Sequence, residues 1–239
     1  MIPDSSGSKA APLNTYPRLS AVVVTRSTGP ILEFCLSGLL ADAAVDEIIV
    51  VDNGERPEIA SALRALRADR RDVQLVQGQG DVGLAQGLNL GSEQARGRWL
   101  LFVGPEVVVQ PGAIDRLLKA GRAARTPAAI GGARLDAAGK PSRRAKRGKT
   151  EAPIQATSNL PGDLVLVGRA DLDMMQGFRL DAENAPFADL GRRLAAAGGD
   201  VLLHPTALGL PVRPGRLIAR DFVARIVSLF TWFGPRRRG

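Results

Sequence analysis

The side chains able to do chemistry fall at the ends of apolar runs. Asp52 closes the run Glu47-Ile-Ile-Val-Val-Asp52 and precedes Asn53-Gly54. Its carboxylate can accept hydrogen bonds from a base or a ribose, and Asp-Asn-Gly is also strong turn chemistry. Glu106 follows the apolar run Arg98 to Val103 in the turn Gly104-Pro105-Glu106. There it can hold Mg²⁺ or Mn²⁺ against a diphosphate, because hard cations take oxygen ligands and keep several waters; a solvated turn acid is the other reading. Gly78-Gln-Gly80-Asp-Val-Gly83 matches G-x-G-x-x-G, with Glu106 placed where a ribose-binding acid would be sought. Two strand–helix units precede this match, whereas the dinucleotide fingerprint belongs to the first βα turn. His204, the only histidine, stands before Pro205 and fits a structural role. Cys35, the only cysteine, excludes an internal disulfide and a cysteine metal cluster and suits a reducing compartment. It falls on an apolar helix face with Ile31, Leu32, Leu36 and Leu39, where a cysteine packs as a small hydrophobe.

The elements that must position these residues alternate. Leu19 to Thr25 and Glu47 to Asp52 are β-branched, uninterrupted apolar runs, as expected for strands buried on both faces. Further strands are predicted over 73–77, 98–103 and 107–109, with helices over 30–43, 57–68, from the Gly-rich stretch to about 95, and 111–124. Such alternation predicts βαβ units, right-handed crossovers and a mainly parallel sheet. Ligands of such sheets bind beyond the carboxyl ends of the strands. That rule selects Thr25-Arg26, Asp52-Asn53, Gly78 to Gly83 and Gly104 to Glu106. In the second half, strands are expected over 128–135, 163–168 and 200–204, and helices over 169–175 and 188–197.

The chain has 239 residues, 45% of them hydrophobic, only 4% aromatic, and a formal net charge of +8. The excess cation lies in one loop, with six basic residues between Lys140 and Lys149, and in one tail, with seven arginines between Arg213 and Arg238. This uneven distribution, with no recognisable nucleic-acid motif, argues against a nucleic-acid partner and for phosphates or anionic lipid. Residues 1–18 are expected to be a disordered lead-in that is not a secretory signal. In the tail, Leu217, Ile218, Phe222, Ile226, Leu229, Phe230 and Phe233 recur at helical spacing among arginines. That predicts an amphipathic helix on an anionic membrane surface over 212–239, or else a packed or dimer-forming helix.

Several of these motifs, in order, resemble the family-two glycosyltransferases with the GT-A fold, the rhamnosyltransferase-like members in particular. They are Ala21-Val-Val-Val-Thr25, Glu47 to Gly54, Asp81-Val-Gly-Leu-Ala-Gln-Gly-Leu-Asn-Leu-Gly91 with Ala95 to Val103, and Met174-Met-Gln-Gly-Phe178 with Asp189-Leu-Gly-Arg-Arg-Leu194. The resemblance covers about 19–211. It implies a three-layer α/β/α nucleotide-binding domain. It also implies inverting transfer of a sugar from a nucleotide-diphosphate sugar to a hydroxyl of a polysaccharide or a lipid-linked acceptor. Thr25 and Asp52 would contact the nucleoside, Asp81, Gly83 and Asn89 would line the nucleotide-sugar site, and Glu106 would take a divalent Mg or Mn ion. The protein would work in the cytoplasm, peripheral to the inner face of the cell membrane.

Four departures from the family pattern stand out, one of them that Leu210-Pro211 stand in place of the family's distal histidine. The DXD motif is Gly104-Pro105-Glu106, the Tyr-Asn after the threonine is Arg26-Ser27, and Pro186-Phe187 replace the Glu-Asp that supplies the general base. Asp189, two residues on, is the candidate base, with Asp181 and Glu183 nearby. Two alternatives follow: a non-catalytic relative that binds a nucleotide sugar or a partner protein, and a dinucleotide-binding oxidoreductase.

Overall fold

A computed structural model describes residues 19–134, 153–157, 159–182 and 185–211. The lead-in 1–18, the basic loop 139–150, Glu183 and the tail 212–239 with its expected helix lie outside the described residues.

β1 (Leu19–Thr25) and β2 (Glu47–Asp52) are buried along their whole length. Val and Ile fill them because branched side chains pack well on a pleated surface covered from both sides. With β3 (Val73–Val76) and β4 (Trp99–Val103) they form a parallel block in which β1 pairs with both β2 and β4, and β2 with β3. β5 (Val107–Val109), β6 (Ala128–Arg134), β7 (Gln155–Ala156), β8 (Leu164–Gly168) and β9 (Asp200–Pro211) complete one sheet. Its order is β3-β2-β1-β4-β8-β6-β9-β5, with β7 on β9. The longest ladders, β1 with β2 and β6 with β9, are parallel; β8 runs antiparallel to both β4 and β6.

The helices cover both faces. α1 (Leu32–Ala41) follows a 3₁₀ turn at Gly29–Ile31, and α2 (Pro57–Asp69) begins on Pro57, whose missing N–H costs nothing in a first turn. Together with α4 (Ala113–Ala123) they pack on one face, against Ala21, Val23, Ile48, Val50 and Leu101. α3 (Leu84–Gln94), α5 (Arg169–Met174) and α6 (Pro186–Ala196) pack on the other, against Val22, Val24, Ile49, Val51 and Phe102. Consecutive strand residues thus feed two separate cores, giving the expected three layers.

Two expectations need correction. The last strand does not stop before Pro205 but runs to Pro211. Its register against β6 jumps from Gly132–His204 to Ala133–Leu208, so Pro205 lies in an irregularity where no ladder N–H is required. α6 begins at Pro186 rather than 188, since proline is as well suited to a first helical turn here as in α2.

Candidate active site

Beyond the carboxyl ends of the parallel strands lies a crevice of about 540 Å³. Its lining includes Arg26 and Thr28 after β1, Asn53 after β2, and Gly104, Pro105 and Glu106 after β4. Asn159, Gly162 and Asp163 before β8 and Ala185 to Ala188 at the start of α6 form the opposite wall. Its apolar floor contains Phe102 and Phe187. With Phe178 they make three edge-to-face pairs, with ring centroids 5.1–5.7 Å apart. Such pairs stabilise by about 0.5–1.5 kcal/mol beyond their burial, and here they fasten β4 to α6 and to the 175–178 corner.

Thr25 and Asp52 are partners in the β1–β2 register, so the two strand ends adjoin as expected. Their side chains, however, serve the turns. Thr25 is fully buried, and its hydroxyl donates to a Glu55 carboxylate oxygen and lies 2.9 Å from the Thr28 hydroxyl. Asp52 accepts the Glu55 N–H at 2.8 Å and the Gln77 amide at 2.8 Å. The crevice is lined instead by the next residues, Arg26 and Asn53.

Asn53, almost fully buried, ties the glycine-rich loop to β2. Its amide donates to Asp81 Oδ1 at 3.3 Å and to the Gly83 carbonyl at 3.1 Å, and its carbonyl accepts the Val82 N–H at 3.0 Å. Gly83 takes a positive φ of 83° as the N-cap of α3, a conformation that glycine adopts without steric cost. Asp81 also pairs with Arg26, Nε to Oδ2 at 2.8 Å. Asp81 therefore reaches the crevice through Arg26.

Asn89 and Asp189 do not line the crevice; both hold its second wall. The Asn89 amide donates to the Phe178 carbonyl and accepts the Phe178 N–H, each at 2.8 Å. Asp189, 8% exposed, accepts Arg193 Nε at 2.8 Å and a longer bond from Arg192. Arg193 also donates to the carbonyls of Met175 and Gly177. These bonds fix the corner that carries Phe178.

Glu106 does line the crevice, on the turn after β4. Beneath that turn Cys35 points its thiol at the Gly104 carbonyl, 3.5 Å away. Burial, and then the charge of Glu106, pushes this thiol well above the ordinary cysteine range. A buried thiol kept protonated is inert packing. His204 lies half-buried on β9, with Nδ1 3.4 Å from the Thr206 hydroxyl. Burial, and then Arg116, holds its pKa below the usual histidine value. It is not part of the crevice lining.

Three features of the site were not singled out from the sequence. Glu55 gathers Thr25, the Thr28 N–H and the Gly29 N–H; Asp163 lines the crevice just before β8; and three phenylalanines pack together, two of them in the floor. Each depends on segments far apart in the chain, so no local motif announces it. Asn53, by contrast, lies in the Asp52-Asn53 loop that the strand-end rule selects.

Residues 20–174 match the model of glycosyl transferase family 2, and the chain belongs to that family. Over 116 residues it is 27% identical to the PGL/p-HBAD biosynthesis glycosyltransferases of Mycobacterium bovis and Mycobacterium tuberculosis. That alignment covers 48% of this chain and 42% of theirs, so the chain matches less than half the length of these curated relatives. The fold is similar to that of a mannosyltransferase, PcManGT from Pyrobaculum calidifontis, in complex with GDP-Man and Mn²⁺. The TM-score is 0.67 at 19% identity, covering 92% of this chain and 64% of that one. It is also similar to S. aureus TarS 1-349, with TM-score 0.63, 13% identity, and coverage of 90% and 72%. The fold is thus that of the GT-A glycosyltransferases, which sets aside the dinucleotide-binding oxidoreductase.

The crevice suits a divalent cation by the chemistry of its donors. Glu106 and Asp163 both line it, and the Gly104 N–H donates to the Asp163 carbonyl at 2.9 Å, which ties the turn carrying Glu106 to the segment before β8. The Glu106 carboxylate, with water and phosphate oxygens, would make a hard-oxygen set appropriate to Mg²⁺ or Mn²⁺. No cluster of three or more His, Cys, Asp or Glu that could by itself hold a metal ion occurs among the described residues.

Proposed function

We propose that this chain transfers a sugar, with inversion, from a nucleotide-diphosphate sugar to a hydroxyl of a polysaccharide or glycolipid acceptor. The observation that supports this reading is the single crevice beyond the strand ends. It joins the loops after β1, β2 and β4 to an acceptor-side wall built from 159–163 and 185–188. The nucleoside lies toward Asn53 after β2 and the diphosphate toward Glu106, while Thr25, Asp52, Asp81 and Gly83 hold the loops that shape the nucleoside side. Asn89 and Asp189 support the acceptor wall.

Inverting transfer needs a carboxylate that takes the acceptor hydroxyl proton as its oxygen attacks the anomeric carbon; the bond from that carbon to the diphosphate oxygen breaks and the nucleoside diphosphate departs. Of the described carboxylates, Glu106 and Asp163 line the crevice, whereas Asp189 is held by two arginines behind it. Asp163 is therefore assigned as the base, ahead of Asp189, and Glu106 as the metal ligand. Glu106 would hold a divalent cation, which would supply countercharge to the diphosphate.

The test is a panel of UDP-, dTDP- and GDP-sugars with Mn²⁺, followed by thermal shift and by mass spectrometry of glycosylated acceptor. One nucleotide class should raise Tm and yield product. Glu106→Ala should remove the Mn²⁺ dependence, and Asp163→Asn should depress kcat at least a hundredfold, on the order of a lost acid–base group. Loss in Asp189→Asn with Asp163→Asn active returns the base to Asp189. Stabilisation without transfer or donor hydrolysis favours the non-catalytic alternative, and stabilisation by NAD alone overturns the reading.

A further inference from the structure

We propose that Arg26 is the protein cation that receives the diphosphate, and that it does so by exchanging Asp81 for phosphate oxygens; this rests on the nucleotide-sugar reading above. Among the described residues lining the crevice, Arg26 is the only one with a cationic side chain, and it shares that lining with two carboxylates, Glu106 and Asp163. A diphosphate entering next to two carboxylates meets like charge, which a partly enclosed, low-dielectric crevice makes more costly. A cation held by few protein ligands offsets part of this. A guanidinium matches the remaining need, because its planar fork binds phosphate oxygens two at a time.

The geometry around Arg26 suits such an exchange. The backbone is held while the side chain is loose. Glu55 accepts the Thr25 hydroxyl, the Thr28 N–H at 2.6 Å and the Gly29 N–H at 3.4 Å, which closes the 25–29 loop on itself. Ser27 takes φ 49°, a left-handed conformation uncommon for a residue with a side chain, and one that turns the chain at the crevice lip. The Arg26 side chain is 66% exposed, and its carboxylate partner Asp81 is 39% exposed. An ion pair that wet contributes little, so giving it up for a doubly bonded phosphate is favourable. Asp81 keeps its loop role after the exchange, since its Oδ1 still accepts Asn53 and the Gly83 N–H. The pair therefore acts as a holder that parks the guanidinium beside the crevice until an anion arrives.

Isothermal titration of UDP, dTDP and GDP against uridine, thymidine and guanosine, in EDTA and again with Mn²⁺, separates phosphate contact from base contact. For the preferred nucleotide, Arg26→Ala should weaken diphosphate binding about tenfold to a hundredfold, the range for a charge-assisted pair, and leave the nucleoside nearly unchanged. Arg26→Lys should recover part of the loss. Asp81→Asn should tighten diphosphate binding, because it frees the guanidinium and keeps the Oδ1 acceptor. Raising salt should weaken wild-type binding more steeply than that of Arg26→Ala. Equal losses for diphosphate and nucleoside assign Arg26 to the base and overturn the proposal, as does no loss in Arg26→Ala. If the wild type binds a nucleotide sugar and transfers normally while Arg26→Ala is silent, only this inference fails. If the wild type binds no diphosphate, the functional reading fails with it. Unchanged Tm and circular dichroism of the variants confirm that the fold is intact.

Discussion

Glu47 shows what a single buried carboxylate can hold together. It is 2% exposed at the start of β2, at the opposite end of the sheet from the crevice. Its oxygens accept the Ser20 hydroxyl at 2.6 Å, the Arg96 N–H at 2.6 Å, the Arg96 guanidinium and the Gln74 amide. Ser20 in turn accepts the Gly97 N–H at 2.7 Å, so β1, β2, β3 and the lead into β4 meet in one network. Burial opposes the charge, but the hydrogen bonds from Ser20 and Arg96, aided by the Arg96 charge, hold the Glu47 carboxyl below its ordinary value. A carboxyl whose folded pKa is lowered stabilises the protein above its unfolded value, about 4.3, and that stabilisation is lost as pH falls through the folded value. Glu47→Gln should therefore lower Tm at pH 7 and flatten the loss of stability below about pH 4.3. Melting curves from pH 7 to 3 for both proteins check this, and parallel curves would remove Glu47 from the account.

At the scale of elements, the approach of α3 to the sheet depends on two glycines one turn apart. A Cβ on Gly87 would stand 2.8 Å from Val24 Cγ1, and one on Gly91 would overlap Val22 Cγ1 and crowd Val51. The same helix carries Asn89 between them, so its depth also sets the position of Phe178 and the crevice floor. Gly91→Ala gains about 1 kcal/mol in helix propensity but must push the helix off the sheet, and overpacking typically costs about 1–3 kcal/mol. The net expectation is a Tm lowered by several degrees, with donor binding weakened because Phe178 and Phe187 shift. Adding Val22→Ala, which removes the opposing methyls, should restore part of the loss, and additive effects in that double-mutant cycle would refute the packing explanation.

At the scale of the whole molecule, the proposed transfer and the expected membrane contact fall on different parts of the chain. The sheet and its crevice are built from the described residues between 19 and 211, whereas much of the basic excess lies in 139–150 and 212–239, outside the described residues. No helix among the described residues is long and apolar enough to cross a membrane. The apolar and arginine spacing of 212–239 is the sequence basis on which we propose docking on anionic lipid. Removing 212–239 should abolish co-sedimentation with vesicles containing phosphatidylserine or phosphatidylglycerol and spare transfer to a soluble acceptor. A truncated protein that still sediments would end the membrane assignment.

The amino-acid sequence by itself determined the order of strands and helices, the parallel first half, the loops that form the crevice and the family. These are written locally: β-branched runs, prolines in first turns and glycines before α3 act over a few residues. The place of Glu106 on the crevice also follows locally, since a turn after a buried strand must emerge at the strand's carboxyl end. Only the tertiary structure decided which side chain at each end lines the crevice. Thr25 and Asp52 are used by Glu55 and Gln77, 30 and 25 residues away, and Arg26 and Asn53 take the lining. Asn89 and Asp189 hold the second wall, because Asn89 bonds Phe178 across elements and Asp189 holds Arg193, which reaches Met175 and Gly177. A hydrogen bond between distant segments leaves no periodicity in the chain, and for that reason the strand-end motifs point to the crevice but not to which of their side chains line it.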